Sequence, residues 1–204
     1  MTSKLLTTIT GGLLAFGFLV LWQTREMSVA EAVNAPPITQ GNPAAPHRIV
    51  SILSPTCSHC AEHETQTAAI FDEAVEAAEL QHIIYPVTTS KGSEPYTHGF
   101  ICAARQGHFG AYTRAHYEAY FGRDERPDAA ATARSVGLEM TAFERCVTSP
   151  DVAEEAVQAL AWAKQLGAAA TPTFFVYLPE SDRWRRLAGQ KRRTYWEKWL
   201  SSGG

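Results

Sequence analysis

Strong charge of either sign is missing from this sequence. It has 18 Lys and Arg against 21 Asp and Glu, a formal net charge of -3 over 204 residues, so no global field draws the chain to nucleic acid. Cysteine is scarce too. Four residues are too few for a disulfide-dense mini-scaffold, yet enough for one reactive pair and one structural pair. There is no Gly-rich phosphate loop and no G-x-S-x-G elbow, no internal repeat and no low-complexity tract. What is present is ordinary for a folded domain: 45% apolar and 10% aromatic residues, which excludes a wholly disordered or collagen-like chain and supplies a core.

Charge is absent altogether between Lys4 and Arg25, and the centre of that run, Leu13 to Trp22, reads LLAFGFLVLW. A helix of about 20 residues just crosses the hydrocarbon core. One positive charge before an apolar run is also the outline of a signal peptide. The nearest small-x-small site, Ala30-Glu31-Ala32, lies behind Arg25 and Glu26, which favours an uncleaved anchor. Residues 1–25 are therefore expected to be a signal anchor or a signal peptide, and the remainder exported. Residues 26–46, with Pro36, Pro37, Pro43 and Pro46, read as a Pro/Ala-rich linker. The folded domain is expected over 47–204.

Within it, Ile49–Leu53 is a short apolar strand, broken by Pro55-Thr56-Cys57. Ser58 to about Leu80 reads as a helix, and His82–Val87 as a second buried strand. From Tyr96 to roughly Gln165 nothing reads as strand. Thr173–Leu178 and Trp184–Ala188 then form strands, and Trp196, Trp199 and Leu200 give the last helix an i, i+3, i+4 packing face. A helix between two apolar strands predicts a βαβ unit with parallel strands, and the helical stretch, about 94–168, sits after that unit as an inserted subdomain. The fold class is α/β.

Cys57-Ser58-His59-Cys60 is a C-x-x-C at the junction of strand and helix. A helix start offers unpaired N–H groups and the positive end of the dipole. These stabilise a Cys57 thiolate, the form that carries out thiol–disulfide exchange. Cys60, one turn on, is the natural buried partner. His59 can add a donor or a positive charge, which favours the reduced form and makes the disulfide more oxidising. A zinc site from Cys57, Cys60 and His59 or His63 is the competing reading, but zinc usually needs a second ligand pair of similar short spacing, and Cys102 and Cys146 stand alone. A purely structural Cys57–Cys60 bond would be a poor staple, since its ring constrains little of the unfolded chain. Thr171-Pro172, just before a buried strand, marks a turn or a cis bond.

The C-x-x-C after an apolar strand, the long helical insertion and Ala170-Thr171-Pro172-Thr173-Phe174 together resemble the DsbA branch of the thioredoxin superfamily. Cys102 to Phe109, with Tyr112, His116 and Phe121, and Gly137-Leu138-Glu139 leading to Phe143 and Cys146, are similar to that family's helical domain. The resemblance runs from about His47 to the end. It implies a thioredoxin-like fold, Pro172 as a cis-proline facing the Cys57–Cys60 disulfide, and a Thr171 backbone that pairs with a substrate peptide. Two departures stand out. Ser58 replaces the proline of the best-known members, and Ser51 occupies the position where many thioredoxin-like proteins carry a buried acid. Glu62 and Glu64 are the candidates to stand in for that acid through water, but both read as solvated.

Leftover cysteines in an exported protein usually pair. A Cys102–Cys146 bridge would stabilise by about 4 kcal/mol in the chain-entropy model, and the resemblance allows one. Neither cysteine has an activating neighbour pattern, so a structural bridge is favoured over a second redox pair. Arg183, Arg185, Arg186, Lys191, Arg192 and Arg193 read as a solvated basic face, and His98, His108 and His116 as ordinary polar or core residues. The expected activity is that of a periplasmic protein-disulfide oxidoreductase, monomeric and without metal or cofactor. It would donate its disulfide to exported cysteine-containing proteins. Reoxidation by a quinone-linked membrane partner of the DsbB or VKOR type is implied by the resemblance. A membrane-tethered reductase of the same fold and a peptide-binding or chaperone module remain as alternatives.

Overall fold

A computed structural model describes residues 37–122 and 126–202. The charge-free run at 5–24 lies outside the described residues, as does most of the expected linker. Among the described residues no helix is long and apolar enough to cross a membrane.

The elements follow in the order β1 (Ile38–Gln40), β2 (His47–Leu53), α1 (Ser58–Glu76), β3 (Leu80–Pro86), α2 (Glu94–Arg105), α3 (Phe109–Gly122), α4 (Ala129–Ser135), α5 (Met140–Val147), α6 (Pro150–Gln165), β4 (Thr173–Leu178), β5 (Arg183–Ala188) and α7 (Arg193–Ser201). The strands form one sheet ordered β1-β3-β2-β4-β5. β2 and β3 run parallel across the α1 crossover, and the other three pairings are antiparallel. This is the thioredoxin-like α/β architecture, with five helices among the described residues between β3 and β4.

Period-two alternation assigns each strand's side chains to two helical layers. Ile49 and Leu53 of β2, Leu80 and Ile84 of β3, and Phe174 and Val176 of β4 join one core with Phe71 of α1 and Trp196 and Trp199 of α7. The same core continues through Phe100, Tyr112 and Phe143 of the inserted helices. Val50, Ile52, Ile83 and Phe175 face the other way, onto Ala159 and Ala163 of α6. Both faces of the sheet are covered, which is why β2 and β3 are buried almost throughout.

Two boundaries differ from the sequence reading. The domain does not begin at His47: Ile38–Gln40 already pair with Ile84–His82 of β3, and Ile38 is buried. Three residues flanked by Pro37 and Gly41 are too short to show a period. They are strand because an edge of β3 is open to them. The turn after them depends on glycine, because Gly41 has φ +81° and a Cβ there would lie 2.0 Å from the Leu80 carbonyl oxygen. Helix α1 ends at Glu76 rather than near Leu80. Ala77 caps it, Ala78 takes a left-handed φ of 59°, and the chain enters β3 at once.

Cys102 on α2 and Cys146 on α5 are joined as a disulfide across 44 positions. It ties together the helical layer that carries the Phe100–Tyr112–Phe143 core. Replacing both cysteines by alanine is expected to lower unfolding free energy by about 2–4 kcal/mol, the usual range for a disulfide, with the loop length favouring its upper end. Urea unfolding of the oxidised variant and parent would show the difference as a lower midpoint.

Candidate active site

β2 ends at Leu53, and Ser54-Pro55-Thr56 turns the chain so that Cys57 becomes the N-cap of α1. Cys57 has extended backbone angles, and its Sγ accepts from the Cys60 backbone N–H at 3.4 Å. A sulfur thus occupies the place a Ser or Asp oxygen usually takes at a helix start. The turn is fastened by hydroxyls: Ser54 Oγ lies 2.7 Å from Thr89 Oγ1, and Thr56 Oγ1 lies 3.2 Å from Ser90 Oγ. These bonds tie the loop to the β3–α2 connection.

The two free cysteines differ in environment. Cys57 is partly exposed and Cys60 is buried. The Cys60 thiol donates toward Cys57, and with bonds from the Thr171 side chain and from the N–H groups of Cys60 and His59 it brings the Cys57 pKa down to about 5, against the opposing cost of burial. Burial, reinforced by the neighbouring Cys57 sulfur, drives Cys60 far the other way. Its Sγ accepts a long bond, 3.5 Å, from the Ser54 N–H, and the Thr171 side chain adds a second that does not offset burial. At neutral pH the pair is therefore one thiolate at the surface and one thiol beneath it.

Thr171 and Pro172 close the site from the opposite side. The bond between them is cis, and in the thiol form Cys57 donates to the Thr171 carbonyl oxygen at 3.3 Å. Residues 114 positions apart in sequence are thereby brought into contact. Ser58 and His59 are both exposed. His59 acts on Cys57 through its backbone N–H, a different route from the imidazole charge expected of it.

Three features escaped the sequence reading. First, α3 grips the active-site turn. Tyr117 Oη donates to the Ser54 carbonyl at 3.0 Å, and His116 Nε2 lies 3.0 Å from the Pro55 carbonyl. Both residues are buried, and the carbonyl makes Nε2 the protonated nitrogen. Second, Glu64 is not simply solvated: its Oε1 accepts from Thr113 Oγ1 at 2.9 Å, and burial lifts its pKa to about 7. Glu62, by contrast, is exposed and accepts from Gln66. Third, Ser51 is buried and lies 2.8 Å from His82 Nε2, so a serine–imidazole pair sits where a carboxylate is common. His63 packs among Phe174, Phe71 and Trp196. Burial lowers its pKa to about 3, and His82 likewise. A spacing signal existed only for Glu64, four residues after Cys60 and so on the same helix face.

The depressed Cys57 pKa fixes the sign of a pH effect. The folded dithiol holds a thiolate where the unfolded chain holds a thiol, so this stabilisation is fully present above the unfolded value, near 9, and is lost as pH falls through about 5. The reduced protein is expected to lose stability relative to the oxidised protein between pH 9 and pH 5. Paired urea titrations of the two forms across that range measure it. A gap that does not change with pH would mean the Cys57 thiol is unperturbed.

The family model for thioredoxin matches residues 34–178. No curated protein sequence matches the chain. Among solved structures, α-DsbA1 of Wolbachia pipientis superposes with a TM-score of 0.66 at 19% identity, covering 80% of this chain and 88% of that one. A thioredoxin-like oxidoreductase from Silicibacter pomeroyi gives 0.63 at 21%, covering 82% and 92%. The catalytic domain of Proteus mirabilis ScsC gives 0.63 at 15%, covering 83% and 90%. At these identities the likeness is one of fold, and it is the DsbA-type fold with helices inserted between β3 and β4. With a match that spans most of its length, from β1 through β4, the chain belongs to the thioredoxin family.

Proposed function

We propose that this protein is a thiol:disulfide oxidoreductase that donates a Cys57–Cys60 disulfide to cysteine-containing proteins in the periplasm. The observation that carries the reading is the asymmetry of the pair: a stabilised thiolate at Cys57 over a buried thiol at Cys60. Stabilising the reduced form makes the disulfide a better oxidant.

In the first step a substrate thiolate attacks Cys57 Sγ. The Cys57–Cys60 bond breaks, a substrate–Cys57 bond forms, and Cys60 leaves and takes up a proton. In the second step the substrate's other thiolate attacks the substrate sulfur of that mixed disulfide and expels Cys57 as a thiolate. Two substrate thiols are oxidised and two protein cysteines reduced. With its pKa held near 5, Cys57 is a good leaving group at neutral pH. Thr171, whose carbonyl already faces the Cys57 sulfur, offers backbone to a substrate strand, with Pro172 beside it shaping the approach. A quinone-linked membrane reoxidase of the DsbB or VKOR type would take the two electrons and restore the disulfide. The Cys102–Cys146 bond suits an oxidising compartment, and the charge-free run at residues 5–24 supplies a leader or anchor for export.

Equilibration with glutathione, read by thiol trapping and mass, tests the reading. The expected potential lies well above the roughly −270 mV of thioredoxin. A value near thioredoxin's would turn the electron flow around and make the protein a reductase. Cys57→Ser is expected to abolish oxidation of a reduced substrate protein, whereas a peptide-binding or chaperone module would keep its function.

A further inference from the structure

Cys57, Ala61, Thr65, Ala68 and Asp72 fall on one stripe of α1, within about 80° of each other around the helix axis. Below Cys57 this stripe faces α3, and the two helices bound an open groove of about 650 Å³. The groove begins at Ala61, whose N–H bonds the Cys57 carbonyl, one turn from the reactive sulfur. From there to Asp72 the helix rises about 16 Å, the span of about five residues of extended peptide.

Its chemistry is one-sided. The walls carry Ala61, Ala68 and Tyr117, and Phe121 stands at the edge with 43% of its surface exposed. Among the described residues the charged lining is Glu62, Glu64, Asp72 and Glu118 against a single cation, Arg114. That guanidinium is committed to Asp72 at 2.9 Å, which leaves Glu62 and Glu118 beside an apolar floor without a paired cation among the described residues, and burial keeps Glu64 only partly ionised at neutral pH. Exposed aromatic surface rimmed by charge of one sign fits a partner of the opposite sign.

We propose that this groove is a subsite for the segment that flanks the reactive cysteine of a substrate protein, and that it selects segments carrying Lys or Arg beside an apolar residue. The proposal rests on the reading of Cys57 as the attacked sulfur. It places substrate selection on the α1–α3 side of the site, opposite the Thr171 backbone.

Two peptides test it, each with the same pair of cysteines, one flanked by Lys-Leu-Lys and the other by Glu-Leu-Glu. Their second-order rates of oxidation by the disulfide form of the full chain are compared. The lysine peptide is expected to react about tenfold faster at low salt, as two or three exposed charge contacts together allow. The ratio should shrink toward one at about 0.5 M salt, where screening is strong. In the double variant Glu62→Lys/Glu118→Lys it should invert. Equal rates in the parent protein, or a preference untouched in the double variant, would overturn the proposal. Dithiothreitol, which carries no charge, serves as the control substrate. If it is oxidised while the peptides do not differ, the groove proposal alone falls. If it is not oxidised either, the redox reading falls and takes the groove with it. A concentration-dependent dimer in sedimentation, dissociated by Phe121→Ser, would assign the groove to a second copy and likewise overturn the proposal.

Discussion

The Cys57 sulfur sits where a helix needs an acceptor, and much of the architecture around it follows from that coincidence. An N-cap side chain has to be out of the helix yet aimed back at its first N–H groups. Cys57 meets both conditions, so the donors that finish α1 are the same donors that hold a thiolate. Helix stability and cysteine reactivity are thereby one interaction. A bulky or strongly hydrogen-bonding competitor at this position would satisfy the helix and silence the sulfur.

Holding that sulfur still requires contacts that local sequence does not supply. In the turn before Cys57, the Ser54 carbonyl accepts from the Cys57 N–H and a second time from Tyr117 on α3, and the Pro55 carbonyl lies against His116 of the same helix. The inserted helices are thus more than a lid on the sheet: they fix the start of α1, and the Cys102–Cys146 bond and the Phe100–Tyr112–Phe143 packing keep those helices together. Tyr112 approaches α2 closely because residue 99 is glycine, where a Cβ would meet the Tyr112 oxygen at 2.4 Å.

The electrostatics of the pair come from burial more than from formal charge. Cys60 is pushed toward the thiol because it is sealed beneath the helix, and Cys57 toward the thiolate because its neighbours, Cys60 included, donate to it. No carboxylate lies beneath the pair on β2. Ser51 and His82 fill that place, with a histidine that burial keeps neutral. The acid nearest in helical register is Glu64, half-buried at the head of the α1–α3 groove and bonded to Thr113. Glu64 therefore lines the same groove as the proposed peptide subsite.

Much of this was legible in the order of the residues. Alternation in IVSIL and TFFVYL, the break at Pro55, and the C-x-x-C at a strand–helix junction are local signals, because strand faces and helix caps depend on neighbours a few positions apart. They determined the βαβ unit, the helical insertion and the reactive pair, and the distant Thr171-Pro172 completed the resemblance to a known family. The local pattern could not show β1, a three-residue strand that exists because β3 has an open edge. It could not show the grip of His116 and Tyr117, whose spacing resembles any core face. The burial of Glu64 also escaped it, because that depends on which helix lies opposite. Those are distances between segments far apart in the chain, and only folding makes them short.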